Sequence, residues 1–408
     1  RSIYKDEFSQ IWIGTSGKGM QKYLPDGIQS LSSDDFSGIH SLFVKDQKTY
    51  LAPYEGNIIL LEGTKKRILD IQDEKVRCFI PKGDTIFLGT DGAGIFAIIG
   101  DEVLQYASGD KIMWTRSILL EDDNWIGTLG NGLIRSSQQI KNQPFSRVND
   151  LVKFKDQLII ATDRGTFSYT DNFEKISAEP ARSLTTLNDK LYIGSKTEGI
   201  YEWNGMTLQK LNYSWSDNIY FVRSSANKYL WIGSEKGIQK LEWIKGLPQS
   251  TFIGNNVGLL GIETCTNSFC ETKNGIWCGT ISGAVYIPNA YTPIGNTNNH
   301  IILESVKVNG QIQSDITNLN ADQNDIEINT RGVNIQQQGQ LFYRWDINNN
   351  GWRNSKSTIS LSALKPGKYT IRVQVSSDKL YWSKPLFIVF KIQAPFWLQW
   401  WFITLVIL

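Results

Sequence analysis

Histidine is almost missing from this chain. Its 408 residues include two, His40 and His300, far apart and with no ligand spacing around either, so both read as incidental and no metal is expected. The four cysteines, Cys78, Cys265, Cys270 and Cys278, form no CxxC or zinc pattern. Neither sign of charge dominates. Lys plus Arg total 42 against 40 Asp plus Glu, which gives no case for a nucleic-acid partner or for an anionic membrane surface. No nucleophile elbow, phosphate loop, HExxH or kinase signature occurs, so no cofactor and no enzymatic activity are expected of this chain. Acidic residues such as Asp122-Asp123, or Glu55 with Asp70, are present, but the first pair sits in an expected hairpin turn. Glycoside hydrolysis needs a defined spatial separation of two carboxylates, which spacing in sequence does not supply. The Asp/Asn-rich turns lack the EF-hand register and read as turns. No stretch of helical period precedes residue 290, which excludes alternating βα units. The chain starts at Arg with no signal peptide, as expected of a mature or excised piece.

What is present is a repeat. Ile11-Trp12-Ile13-Gly14-Thr15, followed by Gly17 and Gly19, returns as Ile86-Phe87-Leu88-Gly89-Thr90, Trp125-Ile126-Gly127-Thr128, Leu191-Tyr192-Ile193-Gly194-Ser195, Leu230-Trp231-Ile232-Gly233-Ser234 and Ile276-Trp277-Cys278-Gly279-Thr280. Weaker copies at Tyr50-Leu51-Ala52 and Ile159-Ile160-Ala161-Thr162 fill the series. The positions equivalent to Trp12 are 12, 50, 87, 125, 159, 192, 231 and 277, a spacing of roughly forty that signals a solenoid or a propeller. The first unit reads as strands over 2–5, 11–15, 20–24 and 28–31. Turn-forming Asn, Asp and Gly precede the motif strand again at Asp122-Asp123-Asn124, Asn188-Asp189, Asn227 and Asn274-Gly275. The motif strand is apolar on both faces, as stacked sheets require, and its Gly suits a place where backbones crowd. Four strands per unit favour a propeller. Trp12, Trp125, Trp231 and Trp277 are therefore expected in the core.

Cys270 and Cys278 flank the turn Thr272-Lys273-Asn274-Gly275. A hairpin there places them on adjacent strands, either bonded in an oxidising compartment or, on the simpler reading, as small buried apolar residues.

The [I/L]-W-I-G-[T/S]-x-x-x-G units resemble the regulator-propeller repeats in sensor regions of bacterial two-component systems. That resemblance covers roughly residues 1–290 and implies a β-propeller of four-stranded blades, with the domain bounds set at 1–293. Eight copies are counted; seven blades are expected from the later ones, the first unit being left over from a preceding propeller.

The pattern changes at Ile287-Pro288-Asn289-Ala290-Tyr291-Thr292-Pro293. Beyond it, alternating strands are expected over 301–308, 325–329, 340–347, 358–361, 368–375 and 386–392, with turns at 348–351 and Pro366-Gly367, which implies a small antiparallel sandwich within 294–393. Phe342-Tyr343-Arg344-Trp345, Gly351-Trp352, Leu364-Lys365-Pro366-Gly367-Lys368-Tyr369 and Tyr381-Trp382-Ser383 resemble the immunoglobulin-like domain that follows such propellers. Residues 394–408 run Ala394-Pro395 and then Phe396-Trp397-Leu398-Gln399-Trp400-Trp401-Phe402-Ile403-Thr404-Leu405-Val406-Ile407-Leu408. Thirteen apolar residues are too few to span a bilayer, which takes about 20, but clustered Trp matches an interfacial belt. The run is expected to begin a transmembrane helix.

The resemblance implies an extracytoplasmic ligand-sensing region, in the periplasm, of a receptor anchored in the bacterial inner membrane through the C-terminal helix. It would be a homodimer that binds a small extracellular molecule of the oligosaccharide class and signals to a histidine kinase beyond residue 408. A membrane-tethered structural or protein-interaction propeller is the alternative, and a propeller glycosidase or lyase a more distant one. For ligand contact, aromatics outside the repeated motif are singled out: Trp114, Trp203, Trp215 and Trp243, with Tyr213. A sugar ring stacks on such groups, and Arg116, Asn218 and Arg223 would fix its hydroxyls.

Overall fold

The computed structural model describes residues 2–5, 11–17, 19–23, 27–32, 38–72, 74–121, 123–254, 259–289, 291, 299–334, 341–377, 379–398 and 400–407. The chain divides into two compact units, Arg1–Pro293 and Ile294–Leu408.

Seven four-stranded antiparallel sheets, here blades I to VII, make up most of the first unit. Their innermost strands are Ile39–Lys45, Val76–Lys82, Thr115–Leu120, Val148–Phe154, Ala181–Leu187, Ile219–Ser225 and Thr264–Thr272. Each packs on the next, and Thr264–Thr272 packs back on Ile39–Lys45, so the ring is closed. The motif strand is the second in every blade. It is apolar on both faces because it lies between two neighbouring blades. In blade VI, Trp231 shares a cluster with Ile276, Cys278 and Ile287 of blade VII, while Leu230 and Ile232 pack on Tyr192 and Leu187 of blade V. Successive side chains of a strand point to opposite faces, which divides the motif in this way.

The motif glycines stand where the next blade comes closest. A Cβ on Gly89 would lie 2.7 Å from Thr115 Cγ2, and one on Gly127 would lie 2.5 Å from Val148 Cγ1. The hydroxyl that follows closes the hairpin loop: Thr90, Thr128, Thr162 and Thr280 donate to the carbonyls of Gly94, Gly132, Gly165 and Gly283 at 2.8, 2.8, 2.7 and 3.2 Å. The G-[T/S]-x-x-x-G spacing of Gly89–Gly94 and Gly127–Gly132 is thus one motif, a close approach followed by a capped turn, and the turns at Thr162 and Thr280 are one residue shorter.

Two expectations change. The strand at 28–31 does not complete the first unit. Gln29–Leu31 instead pairs with Gly283–Pro288 and supplies the outer strand of blade VII, closing the ring with a segment from the opposite end of the unit. Ser2–Lys5, Ile11–Gly14 and Met20–Tyr23 form a separate three-stranded sheet, so the eighth copy is not an eighth blade. Of the motif tryptophans expected in the core, only Trp231 is fully buried; Trp12, Trp125 and Trp277 are half-buried. Trp125 lies edge-on to Tyr169 at 5.8 Å under the Arg135 guanidinium, and Trp277 is tilted against Tyr286 at 5.4 Å.

All four cysteines are buried as free thiols. Cys270 pairs in register with Trp277, and Cys278 with Phe269. Directly opposed residues share a face and successive residues alternate, so Cys270 and Cys278 lie on opposite faces of blade VII. Their membership of different core clusters agrees. A bond between them would need a register slip.

In the second unit, Gln311–Ile312, His300–Val308, Ile326–Val333 and Thr358–Leu361 form one sheet. Asn318–Leu319, Leu386–Ile392, Gly367–Ser376, Phe342–Ile347 and Arg353–Ser355 form a second. Val306, Ile328 and Ile359 of the first share one core with Ile371, Val373 and Phe390 of the second. Arg344 lies between the rings of Trp352 and Trp382, at 4.4 and 4.1 Å. The fully buried Asp346 accepts from Arg372 at 2.8 Å and from the Gly351 amide at 2.8 Å, which fixes the turn after Ile347. The run after Pro395 forms a 3-10 turn, Phe396–Leu398, and an α-helix, Trp400–Ile407. Among the described residues no helix is long and apolar enough to cross a membrane.

Candidate functional site

Near its first residues, the innermost strand of every blade shifts register against the motif strand. The breaks fall between Ile39 and Ser41, Thr115 and Ser117, Val148 and Asp150, Ala181 and Ser183, and Ile219 and Phe221, with the matching shift at Val76–Cys78 and a longer one after Thr264. The extra residues are His40, Arg77, Arg116, Asn149, Arg182 and Tyr220. A bulge leaves one residue out of the ladder and re-aims its side chain. Here the consequence is a ring of polar groups at one mouth of the central channel.

His40, Arg77, Arg116, Asn149 and Arg182, with Arg147, Lys196, Thr266 and Asn267, line one cavity of about 170 Å³. Residues from six blades meet in it, so it lies on the ring axis. Asp91 pairs with Arg77, and lies 3.3 Å from Arg116 Nε. Asp163 receives Arg147 at 2.7 Å, Asn149 at 2.9 Å and also Lys196. Burial opposes ionisation of Asp163, but the bonds from Lys196 and Asn149 outweigh it and hold the carboxyl below the usual carboxylate range. Burial, and next the charge of Arg77, lower the pKa of Arg116. Arg182 donates to Asn218 Oδ1 at 2.5 Å and to the Ile219 carbonyl at 3.2 Å, and stacks 4.6 Å over Tyr220. Below the mouth the channel is filled: Arg223 donates to Asp150 at 2.8 Å, to the Leu184 carbonyl at 3.0 Å and to Asn267 at 3.1 Å, crossing from blade VI to blades IV, V and VII.

His40 carries a pH prediction. Its ring is 6% exposed and touches Arg77. Burial first, then the charges of Arg77, Arg116 and Lys75, push its pKa down from 6.5 to about 3. A folded-state value below the ordinary one means that the neutral form's stability is present above about pH 6.5 and is lost as pH falls towards about 3. His40→Gln should flatten that acid limb. Melting temperatures of both proteins between pH 7 and pH 4 check it; parallel curves would refute it.

The eight residues singled out for ligand contact do not come together. Trp114, 42% exposed, directly precedes the inner strand of blade III, and Arg116 and Asn218 belong to the channel mouth. Arg223 lies deeper, committed to the cross-channel bonds. Trp203 packs on Phe154 at 5.5 Å, and Trp243 on Tyr192 at 5.9 Å, both between blades. Tyr213 is half-buried against the same cluster as Trp243, and its carbonyl accepts from Gln239 at 2.9 Å. Burial, and then Glu202, raise its phenol to about 12. Trp215 is a correction: it is 3% exposed, stacked on Phe252 at 4.2 Å, and donates Nε1–H to Ser250 at 3.2 Å. A place outside the motif does not make an aromatic free, because the last strand of a blade also needs a partner to cover it.

His40, Arg77, Arg147, Asn149, Arg182, Lys196, Thr266 and Asn267 were not singled out from the sequence. A signal for five members of the bulged ring exists: His40, Arg77, Arg116, Asn149 and Arg182 stand nine or ten residues before Tyr50, Phe87, Trp125, Ile159 and Tyr192.

The closed ring and its polar mouth define a seven-bladed β-propeller with an axial basin. No family model matches the sequence, and no curated protein matches it significantly. Solved structures do resemble the fold. The extracellular domain assigned to a hybrid two-component system of B. thetaiotaomicron is 16% identical with a TM-score of 0.63, over 97% of this chain and 61% of that one. A second such domain from B. thetaiotaomicron is 15% identical with a TM-score of 0.53, over 97% and 62%. The WD40 propeller of Doa1 is 14% identical with a TM-score of 0.51, over 65% and 96%. The chain therefore spans about three fifths of each of these two extracellular domains.

Proposed function

We propose that this chain is the extracytoplasmic ligand-sensing region of a membrane-bound two-component sensor. The observation that carries this reading is the likeness to the extracellular sensor domains along 97% of the chain, both compact units included. On this reading the second unit is an immunoglobulin-like sandwich. In support, Tyr369 donates its hydroxyl to the Lys365 carbonyl four residues upstream at 2.6 Å, a bond of the kind found at the tyrosine corner of such domains. The helix at Trp400–Ile407 then begins the span into the inner membrane, and the protein works as a homodimer facing the periplasm. Its ligand, of the oligosaccharide class, transmits a signal only by favouring one of two states, since equal affinity for both would shift nothing.

Calorimetry against a panel of oligosaccharides, with product analysis of the same mixtures, tests the role. Saturable binding with the ligand recovered intact is expected. Steady cleavage of a glycan, abolished by one carboxylate substitution, would replace the sensor with an enzyme.

A further inference from the structure

The charge at the channel mouth is out of keeping with the rest of the chain. The whole protein carries a formal charge of +2. Yet Arg77, Arg116, Arg147, Arg182 and Lys196 line one small cavity, against two carboxylates paired with them, Asp91 and Asp163: five minus two leaves three positive charges in excess. Glu235 and Glu263 flank the blade VI side outside the lining, where they accept from Ser216 at 2.7 Å and Tyr220 at 2.5 Å. Cations in excess of Asp91 and Asp163 thus gather on blades II to V, and these two further carboxylates lie towards blade VI.

Packing like charges in a half-buried basin is unfavourable, and nothing in the propeller architecture demands it. The bulges could as well have turned serines into the channel. Three features show that donors in the basin are short of partners, although Asp91 Oδ1 beside them also completes no hydrogen bond among the described residues. Arg182 makes no ion pair among the described residues, its donors going to neutral oxygens of Asn218 and Ile219. Arg116 Nε is buried and completes no hydrogen bond among the described residues, its ion pair with Asp91 being out of line. His40 Nδ1 is likewise buried without a hydrogen-bond partner among the described residues, in a ring whose exposure is 6%. Guanidinium groups held in place by bulged strands are preorganised to grip carboxylate, sulfate or phosphate oxygens in pairs.

We propose that the channel mouth binds a small anion through its carboxylate, sulfate or phosphate oxygens, held between Arg77, Arg116 and Arg182, with Arg147 and Lys196 at the rim. The inference rests on the sensing role proposed above and assigns the charge class of the ligand. Low-dielectric walls around a single-sign basin focus its field, so the affinity should fall as salt rises.

The test is calorimetry on the whole chain at low ionic strength. Sodium phosphate, sodium sulfate, citrate and a galacturonic acid trimer are titrated in turn beside the neutral sugar maltotriose. One site per chain is expected for at least one anion, weakened tenfold or more by 0.3 M sodium chloride. Arg182→Gln and Lys196→Met should each weaken it tenfold or more, while Arg67→Gln, on the outer rim of blade I, should not. Phosphate or sulfate binding as tightly as the uronic acid trimer would point to a free inorganic ion, and preference for the trimer to an acidic sugar; both uphold the anion site. Should Arg182→Gln fail to fold, Lys196→Met and protection of Lys196 from acetylation by the bound anion decide the matter. Absence of binding by all four anions, or binding that both variants retain, would overturn the proposal. Maltotriose binding alone would overturn it while leaving the sensing role in place; binding of no probe would count against both.

Discussion

Trp231→Ala is expected to destabilise the first unit by about 3–5 kcal/mol, the range for deleting a large, fully buried aromatic. The indole is 0% exposed, packs against Ile276, Cys278 and Ile287 of blade VII, and donates Nε1–H to Ser225 at 2.8 Å. Its removal opens a cavity at the seam between blades VI and VII and leaves the Ser225 hydroxyl without this donor. Neither loss is readily relieved, because the ring is closed and both blades are held from their other sides. In a unit of this size each kcal/mol lowers the melting temperature by about 2–4 °C, so a drop of roughly 10 °C is expected. An unchanged melting temperature would show that this Trp is exposed in solution.

Gly279→Val should be as damaging, for a different reason. A Cβ there would lie 2.0 Å from Ser268 Oγ and 2.6 Å from the Ile39 carbonyl oxygen, at the place where the last blade meets the first. The serine can rotate, but the carbonyl belongs to the inner strand of blade I and cannot retreat without opening the ring. The expected result is a loss of several kcal/mol, in keeping with overpacking against backbone. It should appear as faster limited proteolysis at the seam between blades VII and I. Gly367→Ala is the control: its Cβ would meet nothing closer than Lys365 O at 4.0 Å, so the melting temperature should hardly move. Equal stability of the two variants would mean that the seam is looser than drawn.

The seam also shows where sequence reasoning stops. The motif strand of each repeat and the capped G-[T/S]-x-x-x-G turn are local. Each is written in a stretch of fewer than ten residues, by alternation, by a glycine at a crowded point, and by a hydroxyl that reaches its own loop. For that reason four-stranded sheets in series could be read directly. Within the second unit the strands at Thr358–Leu361 and Leu386–Ile392 fall where alternation puts them. The two-residue strands Gln311–Ile312 and Asn318–Leu319 are too short to show any alternation and exist only because a neighbour pairs with them.

Other outcomes depended on residues distant in the chain. Gln29–Leu31 follows its own unit in sequence, yet its hydrogen bonds go to Gly283–Pro288, so the strand that completes blade VII comes from the other end of the unit. The opposite faces of Cys270 and Cys278 follow from a one-residue register that a turn sequence does not specify uniquely. The same holds at the channel mouth. Arg77, Arg116 and Arg182 lie outside the repeated motif, and 39 or more positions separate each from the next. Composition and motif determined that this protein is a repeating all-β chain with a second β unit. Only the bulged strands of a closed ring decided that these side chains share one basin, because burial and charge there are properties of six blades together and of no single stretch.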